Sequence, residues 1–201
     1  MASPTAEDVL AVWFGPLDED GLCRAEEHAA RWWRKDPGFD RELEERFGSL
    51  HARMAAGADP FDESPHGRLA TVIVLDQLSR NLHRHDAKAF AQDERAQGIT
   101  RAGIQQGHDE RLRGVERAFF YMPLVHSEAL TDHVVAGERL QALVDGASPR
   151  AKKTLEGFAS SAAQHRALIE RFGRYPHRNV ALSRTSTPEE IAFLAAGGTS
   201  F

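Results

Sequence analysis

The sequence predicts an all-α protein of about nine helices packed in antiparallel pairs. Apolar residues recur every three or four positions along much of the chain, which is the period of a helix with one buried face. No alternating strand pair or Asn-Gly hairpin interrupts this pattern. At four of the predicted helix starts a residue that can cap a helix stands directly before a proline, which suits the first turn of a helix. These helix starts are Asp36-Pro37, Ser64-Pro65, Ser148-Pro149 and Thr187-Pro188.

Length and composition favour one domain, residues 1–201, without a membrane segment. A chain of 201 residues, 41% of them hydrophobic, is long enough to bury a sizeable core. The longest aliphatic run, Val72 to Leu75, is far too short to cross a bilayer. The N-terminal segment shows no secretory signal and the single cysteine, Cys23, can form no internal disulfide, so we expect a cytoplasmic location. The net charge of -5 argues against broad binding to nucleic acid.

The first three helices are predicted by their ends and their apolar faces. Thr5 and Asp8 form a capping pair that opens the first helix, and Gly15-Pro16 stops it. The second helix ends at the adjacent tryptophans Trp32-Trp33, which cannot both lie on one face. The third helix has the clearest amphipathic pattern of the chain. Its apolar positions are Phe39, Leu43, Phe47, Leu50 and Met54.

The fourth helix, predicted over residues 65–82, is expected to be the centre of the fold. Its segment Leu69–Leu75 is apolar on every side, so it should be buried on every side. Polar residues occupy its last turns, and an unpaired buried polar group costs roughly 1 to 3 kcal/mol. We therefore expect these residues in a buried network or in the wall of a pocket. They are Asp76, Gln77, Arg80 and Asn81.

The fifth, sixth and seventh helices are predicted from their starts. Asp86 is expected to cap the fifth and Asp109 to open the sixth. Pro123 is expected to end the sixth helix and start the seventh. The apolar stripe predicted for the seventh helix contains two histidines, His126 and His133.

The last two helices flank a segment of reversed charge. The eighth runs from Pro149 to Phe172 with His165 on its apolar side, and a short ninth follows Thr187-Pro188. Between Arg166 and Arg184 the chain has five arginines and one acid, a local excess of +4 in a chain of net charge -5. Arginine binds carboxylate or phosphate through two parallel hydrogen bonds, so the segment indicates an anion site. Alternatively, these arginines cap helix ends and pair with carboxylates, as surface arginines usually do.

We interpret the polar groups at the helix ends and in the arginine segment as one candidate site. His126, His165 and Glu128 are the candidates for proton transfer, because histidine titrates near neutral pH. For each histidine taken alone, a hydrogen-bonded place in the core is the simpler interpretation. The ligand-binding candidates are Asp76, Gln77, Arg80, Asn81, Arg171, Arg174, His177, Arg178 and Asn179.

The sequence predicts no metal site and no cofactor. No His-Glu-x-x-His pattern is present, and on one helix His126 and Glu128 would lie about 200° apart, so they cannot share a face. Cys23 has no histidine motif beside it, and there is no Gly-x-Ser-x-Gly elbow for serine chemistry. The sequence leaves open whether the protein is an enzyme.

Three blocks of the chain resemble one known family. They are Leu75–Asn81, then Tyr121-Met122-Pro123 with His126-Ser127-Glu128, and finally Arg171–Asn179. In this order they are similar to the bacterial domain-of-unknown-function family number nine hundred and twenty-four, and the resemblance covers nearly the whole chain. It implies a tetratricopeptide-like fold, a right-handed helical stack with degenerate repeats, and it implies no activity. The departures from the residues usual in the family are Phe61, Ser79, His133 and Ser183.

Our hypothesis from the sequence is a protein that binds a small anionic ligand, a carboxylate or phosphate, in a pocket lined by arginine and histidine, with acid-base catalysis as an option. The alternative is a tetratricopeptide-like scaffold that presents a groove to a peptide. Arginines along an open groove would favour the scaffold, whereas arginines that converge with His126 and His165 on an enclosed cavity would favour the small ligand. Binding of RNA, a third option, would depend strongly on salt. The sequence does not determine the oligomeric state.

Overall fold

The computed structural model describes residues 3–198. Met1, Ala2 and residues 199–201, which include both ends of the predicted domain and the start of the N-terminal segment, lie outside this range. Within it there is no strand, so the predicted all-α class is confirmed, and no helix is long and apolar enough to span a membrane. The α-helices are α1 (Ala6–Phe14), α2 (Glu26–Trp32), α3 (Pro37–Ala55), α4 (Pro65–Val72), α5 (Ser79–Leu82), α6 (Asp93–Gln105), α7 (Gly114–Val125), α8 (Leu130–Asp145), α9 (Pro149–Phe172) and α10 (Pro188–Ala195).

Five of the predicted helix starts are confirmed by their hydrogen bonds. Thr5 and Asp8 cap each other's backbone at the start of α1. At each of the four cap-and-proline starts, the side chain before the proline accepts a hydrogen bond from a backbone N–H of the first turn. Because the first four N–H groups of a helix have no partner inside it, these caps fix where each helix begins.

The helix predicted over residues 65–82 is continuous, but its middle is not an α-helix. α4 runs directly into a π-helical segment, Ile73–Leu78, which runs directly into α5. Every residue from Leu69 to Leu75 is buried, because this helix packs against α1, α3, α6 and α7. The prediction of a helix buried on all sides is therefore confirmed, and its polar end is carried into the interior with it.

α7, α8 and α9 pack in sequence order beside this central helix. α8 contacts both α7 and α9, and only residues 146–148 connect it to α9, so these two helices run antiparallel. Most buried apolar side chains form one core, while Leu168, Ile169 and Tyr175 form a small second cluster with Phe172 and Phe193. The tetratricopeptide-like stack stays a prediction.

The predicted break at Pro123 is wrong. α7 continues through Pro123 to Val125, and α8 begins only at Leu130. Pro123 lies in the last turn of α7, two residues before the helix ends. Its missing N–H removes one helical hydrogen bond, and no further turns follow in which the proline could disturb the helix. His126 is therefore the residue that ends α7, and it shares no helical stripe with His133 on α8.

The starts of the fifth and sixth predicted helices also lie later than expected. Asp86 caps a 3-10 turn, Ala87–Phe90, and α6 begins at Asp93. Asp109 opens a second 3-10 turn, and α7 begins at Gly114. Both aspartates stand at the start of helical structure, but in each case that structure is a short 3-10 helix. The α-helix begins only after the chain has changed direction.

Candidate functional site

The π-helical segment carries Asp76 to the centre of the molecule. Asp76 is 0% exposed, although a buried carboxylate is costly unless it is paired. A π-helical turn has one extra residue per hydrogen-bonded loop and often marks a functional site. Here it occurs at the point where the apolar run ends and the polar residues begin.

Asp76 is paired with His126. Nδ1 of His126 lies 2.8 Å and 3.0 Å from the two carboxylate oxygens, and Gln77 donates its amide to Oδ2 at 2.6 Å. Burial raises the pKa of Asp76, but the charge of Arg80 and the hydrogen bonds from His126 and Gln77 outweigh burial and lower the pKa to about 2. The ionised carboxylate can only accept a hydrogen bond, so Nδ1–H of His126 donates to it and Nε2 is the nitrogen that is left for chemistry.

His126 is held neutral in this position. Burial lowers its pKa, the Arg80 guanidinium lowers it further, and the Asp76 carboxylate only partly opposes them. The side chain is 12% exposed, and within residues 3–198 no hydrogen bond occupies Nε2. A neutral imidazole with a carboxylate on Nδ1 presents a lone pair on Nε2, which is the arrangement of a general base.

Two guanidinium groups share a second carboxylate, Asp93, next to this pair. Arg80 lies 3.1 Å from Asp76 and 3.0 Å from Asp93, and Arg178 lies 3.0 Å from the same Asp93. A second arm of Arg178 donates to the backbone oxygen of His126 at 3.0 Å. Both guanidinium groups stack on the ring of Phe90. The formal charges of the two carboxylates and the two guanidinium groups cancel, so the network is close to neutral.

Two nitrogens of this network lack a protein partner. Nε of Arg178 and Nδ1 of His177 are buried and make no hydrogen bond within residues 3–198. A buried charged donor without a partner costs more than the roughly 1 to 3 kcal/mol of a neutral one. Such atoms are usually satisfied by water or by a ligand.

Histidines surround the ring of Tyr175, which is itself 0% exposed. Ring centroids of His165, His133 and His177 lie 5.8, 6.3 and 5.5 Å from that of Tyr175, and His165 lies 6.0 Å from His126. Burial lowers the pKa of His165 to about 3 and that of His177 to about 4, with repulsion from His126 and from Arg178 respectively as the next cause. These imidazoles are therefore neutral in the free protein.

The structure brings together seven residues, which we call the central cluster: Asp76, Arg80, Asp93, His126, His165, His177 and Arg178. Six of them were candidates from the sequence, and Gln77 contacts the cluster through Asp76. Asp93 was missed because it opens α6 without any motif, and only its contacts with both arginines reveal it.

Three other predicted ligand-binding residues hold the C-terminal helix. Arg174 binds both oxygens of Glu190 at 2.6 and 2.8 Å, and Asn179 donates to the same carboxylate. Arg171 pairs with Glu189 at 2.9 Å and is exposed. For Arg171 and Arg174 the structure therefore matches the alternative interpretation, in which arginines pair with carboxylates.

Asn81 and Glu128 also lie in other networks. Asn81 donates to Asp40 at 2.8 Å, and the same carboxylate binds Arg84. Glu128 forms a two-pronged pair with Arg184 at 2.7 and 3.0 Å and accepts from the backbone N–H of Tyr175 at 2.8 Å. Glu128 thus anchors the arginine segment to the loop after α7.

No metal centre is apparent in the described range. Among residues 3–198 no group of three or more histidine, cysteine, aspartate or glutamate side chains is placed to hold a metal ion. Asp76 and His126 are close, but the neighbours that complete their surroundings are guanidinium groups, which repel a cation.

Comparison with known proteins places the chain among proteins of unknown function. The pattern that defines the bacterial family of unknown function DUF924 matches residues 9–198. A solved structure of a protein of unknown function from Agrobacterium tumefaciens is similar, with 32% sequence identity over 96% of this chain and 97% of that chain, and a TM-score of 0.78. No curated protein matches the sequence.

Proposed function

Because the chain belongs to the DUF924 family of bacterial proteins of unknown function, we propose its function from its own geometry: it binds a small carboxylate or phosphate at the central cluster, with His126 as the acid-base group. The observation that carries this proposal is the Asp76–His126 pair, in which Nδ1 is fixed by a buried carboxylate and Nε2 forms no hydrogen bond with any described residue. The proposal assigns proton transfer to His126 and not to Glu128, which Arg184 occupies.

Two features support an anion as the ligand. Nε of Arg178 is a buried donor that no described residue satisfies, and the Arg80 side chain is 20% exposed beside it on the same carboxylate, Asp93. A ligand oxygen next to these guanidinium groups would complete their hydrogen bonds. The cluster has no surplus positive charge, so the charge needed to hold the anion comes from a proton taken up by His126.

Anion binding should therefore be coupled to proton uptake. The pKa of His126 is lowered in the free protein by burial and by Arg80. A bound anion stabilises the imidazolium form and raises this pKa, so affinity should increase as the pH falls from 8 to 6. A His126 that is protonated only when the ligand is bound could also donate that proton to a bound substrate.

The test is isothermal titration calorimetry with inorganic phosphate and small mono- and dicarboxylates in two buffers of different ionisation enthalpy. The wild-type protein should bind one of these anions and take up a fraction of a proton per anion at pH 7 to 8. His126→Gln keeps an amide donor for Asp76 but cannot titrate, so uptake and the pH dependence of affinity should disappear. Arg171→Ala, which changes an exposed arginine outside the cluster, should behave as wild type.

Thermal unfolding provides an independent readout of the same binding. A ligand at about 100 times its dissociation constant should add about 2.7 kcal/mol to the stability of the wild-type protein. If none of the anions stabilises the wild type, or if His126→Gln binds with the same proton uptake, the proposal is wrong. The peptide-binding scaffold is then the hypothesis to pursue.

A further inference from the structure

A cavity of about 940 Å³ lies between α1, residues 60–67 and the start of α7. No residue of the central cluster lines it, so it is independent of the site proposed above. Its volume is within the range of small-molecule sites, roughly 300 to 1,000 Å³. It therefore qualifies as a second candidate site on size alone, and its lining decides what it could hold.

The floor of this cavity is apolar and partly aromatic. Leu10 and Phe14 reach it from α1, Leu17 from the loop after α1, and Phe61 from the segment before α4. Phe14 is 1% exposed and packs into the core, so this part of the wall is fixed by the fold. An apolar floor of this kind favours a ligand with a hydrocarbon or aromatic body.

The charged groups of the lining are mostly acidic. Among the described residues that line it, Glu7, Asp62 and Glu116 contribute three carboxylates, against one guanidinium group from Arg113. The remaining titratable residue of the lining, His66, is half-exposed. A cationic group on the ligand would therefore be complementary to the cavity, whereas an anionic one would meet a net negative surface.

Glu116 is the carboxylate that most needs such a partner. The residue is 8% exposed, yet the two polar contacts of its carboxylate within residues 3–198 are long: 3.3 Å to Nε2 of His66 and 3.4 Å from the backbone N–H of Arg113. A normal N–H···O hydrogen bond is about 2.7 to 3.2 Å long, and buried carboxylates usually have a close partner. Glu116 is thus a buried acceptor, at the wall of a cavity, whose protein partners do not come close.

The geometry points to a binding site for an aromatic amine: the ring lies against Phe14 and Phe61, and the ammonium group donates to Glu116. This combination uses the apolar floor and a buried carboxylate whose protein contacts are long. It requires nothing of His126 or the arginines, so the two proposed sites can succeed or fail separately.

The experiment measures binding of 2-phenylethylamine to the full chain by calorimetry or ligand-observed NMR. Two analogues of similar size, 2-phenylethanol and 3-phenylpropionate, replace the ammonium by a neutral or an anionic group. The amine should bind more tightly than the alcohol, and the carboxylate should bind least. Glu116→Gln keeps the size of the side chain and should weaken binding of the amine about tenfold or more while leaving the alcohol unchanged. Glu138→Gln, on an exposed α8 residue, should change neither.

A second pair of variants tests the location without touching Glu116. Ala11 lines the cavity and is exposed, so Ala11→Trp should fill the space without a packing conflict and abolish binding of the amine. Ala163→Trp, at an exposed α9 position that does not line this cavity, is its control. The inference is overturned if the amine does not bind, if the carboxylate binds as tightly, or if Glu116→Gln and Ala11→Trp bind the amine as the wild type does.

Discussion

Oδ1 of Asp76 and Nδ1 of His126 lie 2.8 Å apart, although the two residues are fifty positions apart in the chain. This contact joins the π-helical segment of the central helix to the end of α7. Arg80 binds the same carboxylate, so Asp76 holds a cation and an imidazole in fixed positions at once. Such a buried acceptor is a structural element as well as part of the proposed site.

We expect Asp76→Asn to be strongly destabilising. The substitution keeps the shape of the side chain but removes the charge that Arg80 and His126 face, and losing one partner of a buried pair costs roughly 3 to 5 kcal/mol. The measurement is the midpoint and slope of urea unfolding. The control is Asp145→Asn on the exposed end of α8, which should cost less than about 0.5 kcal/mol. Equal losses for the two variants would contradict a central role for Asp76.

Stability should fall as the pH is lowered from 7 to 5, and His165 should account for a large part of the change. Burial lowers the pKa of His165 to about 3 in the folded protein, whereas an unfolded histidine titrates near about 6.5. Between these values the unfolded chain binds a proton that the folded chain does not, so stability is complete above the unfolded pKa and is lost below it. For one such histidine the loss between pH 7 and pH 5 is about 2 kcal/mol.

The check is urea unfolding at pH 7 and at pH 5 for wild type and His165→Asn. The asparagine amide can still donate to the backbone oxygen of Ser161, which His165 Nδ1 contacts at 2.8 Å. The variant should lose less stability than wild type on acidification. His85→Asn, at an exposed position, should keep the wild-type dependence on pH. If His165→Asn keeps it too, then His165 is not the group that titrates.

Arg178 should not be replaceable by lysine. Its guanidinium group reaches Asp93 and the backbone oxygen of His126 with two separate arms, and lysine offers a single nitrogen. Arg178→Lys should therefore lose about 1 to 3 kcal/mol in urea unfolding, because one buried acceptor is left without its donor. Arg166→Lys is the control, since Arg166 pairs with Glu170 on the surface of α9 and should lose under about 0.5 kcal/mol. A similar small loss at both positions would show that the arms of Arg178 are not both used.

The sequence predicted those parts of the fold that depend on local chemistry. Cap residues and first-turn prolines act within four residues, so the starts of α3, α4, α9 and α10 were predictable. The buried helix over residues 65–82 was predictable because a helix that is apolar on every side must be packed against other elements on every side. Pro123 was misjudged because the cost of a proline depends on how soon the helix ends after it, and local sequence does not reveal that.

The candidate site was only partly predictable for a related reason. The polar end of a buried helix must find partners, so Asp76 and Arg80 were expected in a network. Which arginines join them depends on pairing between distant parts of the chain. Arg178 binds Asp93, which lies 85 residues earlier, whereas Arg174 binds Glu190, which lies 16 residues later. A run of like charges shows that partners are needed but not which carboxylates will supply them.

Two arginines outside the central cluster, Arg171 and Arg174, pair with glutamates that differ in burial. Arg174 and Arg171 both pair with glutamates of α10, but Glu190 is 1% exposed and Glu189 is exposed. The side-chain hydrogen bond from Arg174 is the main reason that the pKa of Glu190 is lowered to about 2. Arg174→Ala would leave a buried carboxylate without its cation, whereas Arg171→Ala removes only a solvent-screened pair.

Hydrogen exchange measured by mass spectrometry can separate these effects locally. Arg174→Ala should lower the protection of α10 amides by a factor that corresponds to roughly 1 to 3 kcal/mol, since part of the pair is exposed and screened. Arg171→Ala should lower it by under about 1 kcal/mol. Amides in the middle of α4 should be unchanged in both variants, because α10 packs on the small second cluster and not on the main core. If Arg171→Ala opens α10 as much as Arg174→Ala does, burial of the Glu190 carboxylate is not what holds the C-terminal helix in place.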